Sequence, residues 1–314
     1  MRVTDTYRWT HPETILVASD LSDLDHLMPF ALDQAGHTGA HIILLHVLAS
    51  TAMFTADAAG MPYYDTAGAV EIAEHTMHGW CETAQRLGIR CEPVVREGHP
   101  TQQIGAAIRQ FHADRLLLGT RSRSKLGKLL IGSVAEQVLR SVNLPVITVG
   151  PEAHLPVERG EEGIVLHATT LRETSRPSAA LACQTAAAQK AKLVMLHVLP
   201  PLAEMERKGN ADGMTSSTRL ELRILAAQAG ADCSTEVEPL VVHGNPSIEI
   251  LAVAAERKAN LIVLGATHRS AFENLTRDRT VFRVLALARC PVLTLREPQT
   301  MPNEAVTAMA GAHL

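Results

Sequence analysis

The chain has 314 residues, a formal net charge of −4 and 46% apolar residues, with two Trp, three Tyr and five Phe among them. That length suits two domains, the mild acidity argues against a dedicated nucleic-acid binder with its basic face, and the cores must be aliphatic rather than aromatic. No apolar run approaches the ~20 residues of a membrane span, and the start Met1-Arg2-Val3-Thr4-Asp5 lacks the apolar stretch of a signal peptide. Five cysteines without a Cys-x-x-Cys pair read as reduced, mostly buried thiols rather than a disulfide or zinc framework. The expectation is a cytoplasmic chain whose partners include neither nucleic acid nor membrane.

In chain order, short β-branched apolar runs alternate with longer amphipathic ones. Residues 14–19, 40–47, 91–96, 115–119 and 145–149 are apolar enough to be strands buried on both faces. Residues 25–37, 69–87, 101–112 and 133–142 carry helical spacing, as in the stripes Leu27, Phe30, Ala31, Ala35 and Ile104, Ala107, Ile108, Phe111. Strict alternation predicts parallel strands joined by right-handed crossovers, hence a doubly wound sheet. The link over residues 48–66 is unusually apolar for a loop, with Met53, Phe54, Met61, Tyr63 and Tyr64. It suits a loop folded over the sheet edge or a partner domain, or else a lid over a ligand.

A Pro-, Gly- and Glu-containing stretch from Gly150 to Glu162 reads as an exposed linker. Beyond it the order repeats, with strands expected at 163–168, 192–198, 236–242, 260–265 and 291–295. Gly98-His99-Pro100 returns as Gly244-Asn245-Pro246, Gly119 as Gly265 and Pro145 as Pro291, each at an offset of 146 residues. Ile15–Ala18 matches Ile164–His167, and Leu44–Val47 matches Met195–Val198. The reading is one α/β unit written twice: domains at 1–150 and 151–298, each a five-stranded parallel sheet of order 3-2-1-4-5, and a tail at 299–314.

In that order the first and fourth strands are neighbours, and their carboxyl ends flank the point where the winding reverses, where such sheets bind ligands. The first strand ends Ala18-Ser19-Asp20-Leu21-Ser22. The fourth ends Leu118-Gly119 and runs on through Arg121, Ser122, Arg123, Lys125 and Lys128 to Gly132-Ser133, which opens a helix. Gly119 lets the chain turn sharply and a ligand approach the backbone. The helix start at Gly132-Ser133 favours a phosphate, and the basic loop adds positive potential. Asp20 can accept hydrogen bonds from a base or sugar, or it caps the first helix. No P-loop and no Gly-x-Gly-x-x-Gly is present.

These residues resemble the universal stress protein family over nearly the whole chain, twice. ATP-binding members carry Gly-x-x-Gly, nine residues, then Gly-Ser or Gly-Thr, with an Asp ending the first strand. Gly119 matches the first glycine, Gly132-Ser133 the final pair and Asp20 the acid, while Ser122 stands at the second glycine. The resemblance implies an adenine-nucleotide alpha hydrolase-like fold. It implies ATP, or AMP or ADP in its place, with Mg. Asp20, Ala18 and Val47 would surround adenine and ribose, next to Ser19. Leu118, Gly119, Ser122, Gly132, Ser133, Val134 and Ala135 would follow the ribose and phosphates, with Arg121 in the same loop. A serine at the second glycine would weaken binding if that position needs a positive φ. The implied role is a cytoplasmic ATP-binding stress sensor or adaptor with an unknown protein partner.

In the second copy the residue matching Asp20 is Thr169, His268 stands at the Ser122 position, and Asp278-Arg279 replaces Gly132-Ser133. A carboxylate where a phosphate should sit is repulsive, so nucleotide is expected in the first half only. His75 and His78 invite a metal reading, but their spacing also suits a surface helix face. His46 and His197 end the repeated second strand and suit a packed, hydrogen-bonded role. No nucleophile stands beside a base, so at most slow ATP hydrolysis is expected. Competing readings are a nucleotide-independent partner-binding or chaperone-like scaffold, and a related adenylyl-transferring enzyme whose signature loops Ser19–Asp23 does not match. The fifth strands, short and led by Pro145 and Pro291, are sheet edges needing cover. They are expected to pair in an intramolecular pseudo-dimer, and a homodimer is an extension of that pairing.

Overall fold

The computed structural model describes residues 8–9, 11–48, 66–120, 131–154, 163–206, 211–230, 236–267 and 279–297. In the first half the elements are β1 (Thr14–Ser19), α1 (Leu24–Thr38), β2 (His41–Leu48), α2 (Thr66–Arg86), β3 (Cys91–Glu97), α3 (Pro100–Gln110), β4 (Arg115–Gly119), α4 (Ser133–Ser141) and β5 (Val146–Val149). The second half holds β6 (Ile164–Ala168), a 3-10 turn (Glu173–Ser175), α5 (Arg176–Gln189), β7 (Lys192–Leu199), α6 (Leu202–Glu206) and α7 (Ala211–Ala229). It continues with β8 (Val237–His243), α8 (Pro246–Glu256), β9 (Leu261–Thr267), α9 (Arg279–Leu287) and β10 (Val292–Glu297). The apolar link at 49–65 and the tail from residue 298 lie outside the described residues.

Ile15, Leu16 and Val17 on β1 and Leu116 and Leu117 on β4 have no solvent exposure, because helices cover both faces of the parallel sheet. α1 buries Leu24, Leu27, Met28, Ala31 and Ala35. It stops at Gly39, whose left-handed φ of 74° lets its N–H reach the Ala35 carbonyl. α3 and α8 both open on a proline that suits the first helical turn, after Gly98 at φ 131° and Gly244 at φ 151°.

The strands form one ten-stranded sheet in the order β3-β2-β1-β4-β5-β10-β9-β6-β7-β8. Each half therefore has the expected order, and β5 pairs antiparallel with β10 through Val146↔Thr294, Ile147↔Leu293 and Thr148↔Val292. The junction is nearly self-complementary: Thr148 Oγ1 donates to the Val292 carbonyl and Thr294 Oγ1 to the Val146 carbonyl, both at 3.2 Å. Equivalent residues exchange equivalent bonds, as at a two-fold dimer interface. Around it the Arg140 guanidinium lies 5.7 Å from the Phe282 ring centre, and the His154 N–H donates to the Arg289 carbonyl at 2.9 Å.

Two sequence expectations need correction. Cys81 on α2 and Cys91 on β3 form a disulfide, with Cα atoms 4.9 Å apart, rather than remaining reduced. The helix doubles back onto the strand through a turn at Gly88, φ 76°, which sets two cysteines ten residues apart face to face. Cys183 and Cys290 are buried and form no disulfide. The second correction is the register of the repeat. Ser19 pairs with His46, and the His46 ring Nδ1 donates to the Ser19 carbonyl at 3.0 Å; His197 Nδ1 donates to the Thr169 carbonyl at 2.8 Å. The Leu21 N–H bonds the Ser19 hydroxyl and the Leu171 N–H the Thr169 hydroxyl, with both leucines left-handed at φ 71° and 57°. Thr169 is thus the counterpart of Ser19, Thr170 that of Asp20, and His167 that of Val17. Matching the apolar runs alone slips by one residue, since it has no hydrogen-bond register to hold it.

Candidate functional site

β1 lies between β2 and β4, with Ala18 opposite Leu45 on one side and Leu118 on the other. The carboxyl ends of these three parallel strands are consequently level, and residues far apart in the chain gather there. They sort onto two faces. Ala18, Val47, Leu118 and Ala135 share the apolar cluster beneath α3 and α4, together with Ile131. Leu118 and Ala135 are buried there, Ala18 and Val47 half-buried. Ser19 and Gly119 turn to the opposite face, under α1.

α4 opens at Gly132 and Ser133. No side chain caps it, and its first main-chain bond runs from the Glu136 N–H to the Gly132 carbonyl at 2.9 Å. The amides of Ser133, Val134 and Ala135 therefore have no acceptor within the helix, and Ser133 and Val134 are exposed. Asp20 is exposed and folded on itself: its Oδ1 accepts from the Ser22 N–H at 3.0 Å and from the Ser22 hydroxyl at 2.5 Å. It does not cap α1, whose N-cap position is Asp23. Arg121, Ser122 and the basic loop with Arg123, Lys125 and Lys128 lie outside the described residues, as do His268 and Asp278.

Asp23 is the residue that sequence reasoning missed. Its Oδ1 accepts a 2.6 Å bond from the Ser19 hydroxyl, and a Cβ placed on Gly119 would run into its carboxylate. Gly119 is not in a left-handed conformation. It is a glycine because Asp23 occupies the volume where a side chain would stand, which corrects the sharp-turn explanation. The four-residue spacing of Ser19 and Asp23 was the available signal, but the third partner comes from β4, 96 residues beyond Asp23.

His46 is buried, and because a carbonyl can only accept, its bonded Nδ1 is protonated and a neutral ring keeps Nε2 as an acceptor. His78 lies on α2 with its Nδ1 bonded to the Glu74 carbonyl at 2.7 Å. Among the described residues no group of three or more His, Cys, Asp or Glu is placed to hold a metal. A large cleft of about 1490 Å³ lies away from the carboxyl ends of β1 and β4, between α1 and the amino ends of β6 and β9, and none of the candidate residues lines it.

The sequence profile of the universal stress protein family matches residues 12–150 and, separately, residues 163–296. The chain belongs to the universal stress protein family. A universal stress protein of Mycolicibacterium smegmatis is 25% identical over 308 residues, spanning 90% of this chain and 96% of that one. One from Methanocaldococcus jannaschii is 32% identical over 66 residues, so that the match spans 21% of this chain and 39% of that protein. In three dimensions the chain is similar to a universal stress protein from Archaeoglobus fulgidus, with a TM-score of 0.70 at 22% identity, covering 90% of this chain and 98% of that chain. Both halves are universal stress protein units, and the shared profile explains why their strands run in one order. No described helix is long and apolar enough to cross a membrane.

Proposed function

We propose that this tandem universal stress protein is an adenine-nucleotide-binding sensor or adaptor of the cytoplasm, with ATP held by the unit at residues 1–150 and not by that at 151–298. The observation that carries the reading is the meeting of the β1 and β4 carboxyl ends beside the uncapped start of α4. Asp20 reads the adenosine, with Ala18, Ser19 and Val47 around it. Leu118, Gly119, Arg121, Ser122, Gly132, Ser133, Val134 and Ala135 follow the ribose and phosphates. Three amides without an acceptor in their own helix, at its positive end, suit an anion, so the residues fit a nucleotide. A bound Mg would add counter-charge to its phosphates.

The second unit has Thr170 in place of Asp20, a neutral side chain that bonds Ser175 at 3.4 Å. Asp278 precedes α9 where Gly132 precedes α4. Both changes disfavour a nucleotide, and the unit keeps its sheet and its edge pairing. Among the described residues no base is placed to activate water, which supports turnover well below ~1 per second and a protein that acts by occupancy.

Titration calorimetry tests the site. Asp20→Ala and Gly132→Asp each weaken ATP binding at least tenfold in the full chain, with one equivalent bound to the wild type. Unchanged affinity in both variants, or two equivalents per chain, overturns the assignment. A chain that stays bare at saturating ATP supports the nucleotide-independent scaffold.

A further inference from the structure

The Cys81–Cys91 pair lies at the outer end of the sheet and has no part in the nucleotide reading. β3 is the terminal strand, joined by hydrogen bonds only to β2, so its outer margin depends on α2 for cover. α2 buries Ala73, Met77, Cys81 and Ala84, and the disulfide joins this inner face to the first residue of β3. Among the described residues, the second half builds the same unit without a crosslink. Val237 occupies the register position of Cys91, each pairing with the second residue of its neighbouring strand, and α7 buries Thr218, Leu222 and Ala226 at the spacing with which α2 buries Ala73, Met77 and Cys81. The covalent bond is therefore dispensable to the architecture. Exposure separates the cysteines as well: Cys91 is half-buried, whereas Cys81 is 3% exposed. Cys183 and Cys290 are buried and form no disulfide, and burial pushes the Cys290 thiol up to about 12.

The geometry points to a reversible redox-modification site, at which Cys91 and Cys81 are oxidised by a hydroperoxide and the α2–β3 edge unit is clamped as a result. The Cys91 thiolate attacks the peroxide oxygen, giving a sulfenic acid and releasing water or an alcohol. The Cys81 sulfur then attacks the Cys91 sulfur, its proton leaves with the hydroxyl as water, and the disulfide forms. Two equivalents of a small thiol reverse the step and become a disulfide themselves. An edge unit held from one side opens more readily than the sheet centre, so the bond selectively suppresses opening there.

The test uses the full chain, reduced and then treated with hydrogen peroxide. Alkylation after denaturation is expected to label five cysteines before treatment and three after it, with a peptide linking Cys81 to Cys91. Trp80, next to Cys81, should brighten when glutathione reduces the bond. Amide exchange in α2 and β3 should then rise several-fold, with β4 and β9 unchanged. The double variant Cys81→Ala/Cys91→Val, built on the second half's solution, should fold and lose all three responses. Five labelled cysteines after peroxide, a bond that glutathione leaves intact in the folded chain, or equal exchange in the two states overturns the proposal. None of these readouts depends on ATP.

Discussion

His167 shows what one substitution between the repeats does. It sits on β6 between Met195 and Val263, where β1 has Val17 between Leu44 and Leu117. The ring is fully buried, with Nδ1 donating to the Val263 carbonyl at 3.1 Å and Nε2 lacking a partner. Burial disfavours the imidazolium and pushes the pKa down from 6.5 to about 4. The folded chain thus holds a neutral ring while the unfolded chain takes up a proton below pH 6.5. Stability from this group is full above pH 6.5 and falls as the pH drops toward 4, by about 2 kcal/mol at pH 5. His167→Val, which copies the first repeat, should remove that loss, and urea midpoints at pH 7 and pH 5 measure it. An equal acid loss in both proteins would show that other groups carry it. Asp23 and Gly119 offer a second case. Gly119→Ala should cost about 1–3 kcal/mol by overpacking, and adding Asp23→Ala should recover part of it, since the clash is with that carboxylate. Purely additive losses would mean that the two do not compete for one space.

At the scale of the element, the proposed nucleotide site rests on the start of α4. α4 is nine residues long and amphipathic, burying Ala135, Val138 and Leu139, and its first amides have no acceptor within the helix. Restoring glycine at the second motif position, Ser122→Gly, should tighten ATP binding several-fold if that position needs a positive φ, because a serine there costs about 1 kcal/mol. Weaker binding in calorimetry would show that the serine contributes a contact. The loop after β1 has the opposite character. Leu21 and Leu171 are both left-handed, an arrangement that costs a non-glycine residue of order 1–3 kcal/mol, and both pack against the larger core cluster. The repeats keep this loop even though only the first retains Asp20. Its local role is thus to turn the chain from strand to helix, whatever the ligand.

Across the whole molecule, the β5–β10 junction makes two units into one sheet. Three register pairs, two threonine bonds and the Arg140–Phe282 contact are modest for association between separate chains. The linker keeps the partner edge at high local concentration, so little affinity is required. Residues 1–150 expressed alone should expose the β5 edge, self-associate at high concentration and still bind ATP, whereas residues 160–314 should not bind. Ultracentrifugation and calorimetry read both outcomes. A fragment that stays monomeric at every concentration would show that the edge pairing needs the second unit's own residues.

Strand and helix positions were legible in the residues because apolar periodicity is local: β1 and β4 fall where the apolar runs place them, and most other ends shift by one or two residues. The repeat made the strand order legible too, since a strand-helix alternation written twice leaves few ways to wind a parallel sheet. The candidate crevice followed from topology alone, with Asp20, Gly119 and Gly132-Ser133 brought to one end by the neighbouring β1 and β4. Only the folded chain decided the rest. The register of the repeat required the carbonyl that each strand-two histidine holds, the Cys81–Cys91 bond required the turn at Gly88, and the partnership of Asp23 with Gly119 required β4 to lie beside β1. Each depends on contacts between residues distant in the chain or on a backbone angle, and neither is encoded in the spacing of apolar side chains along a single element.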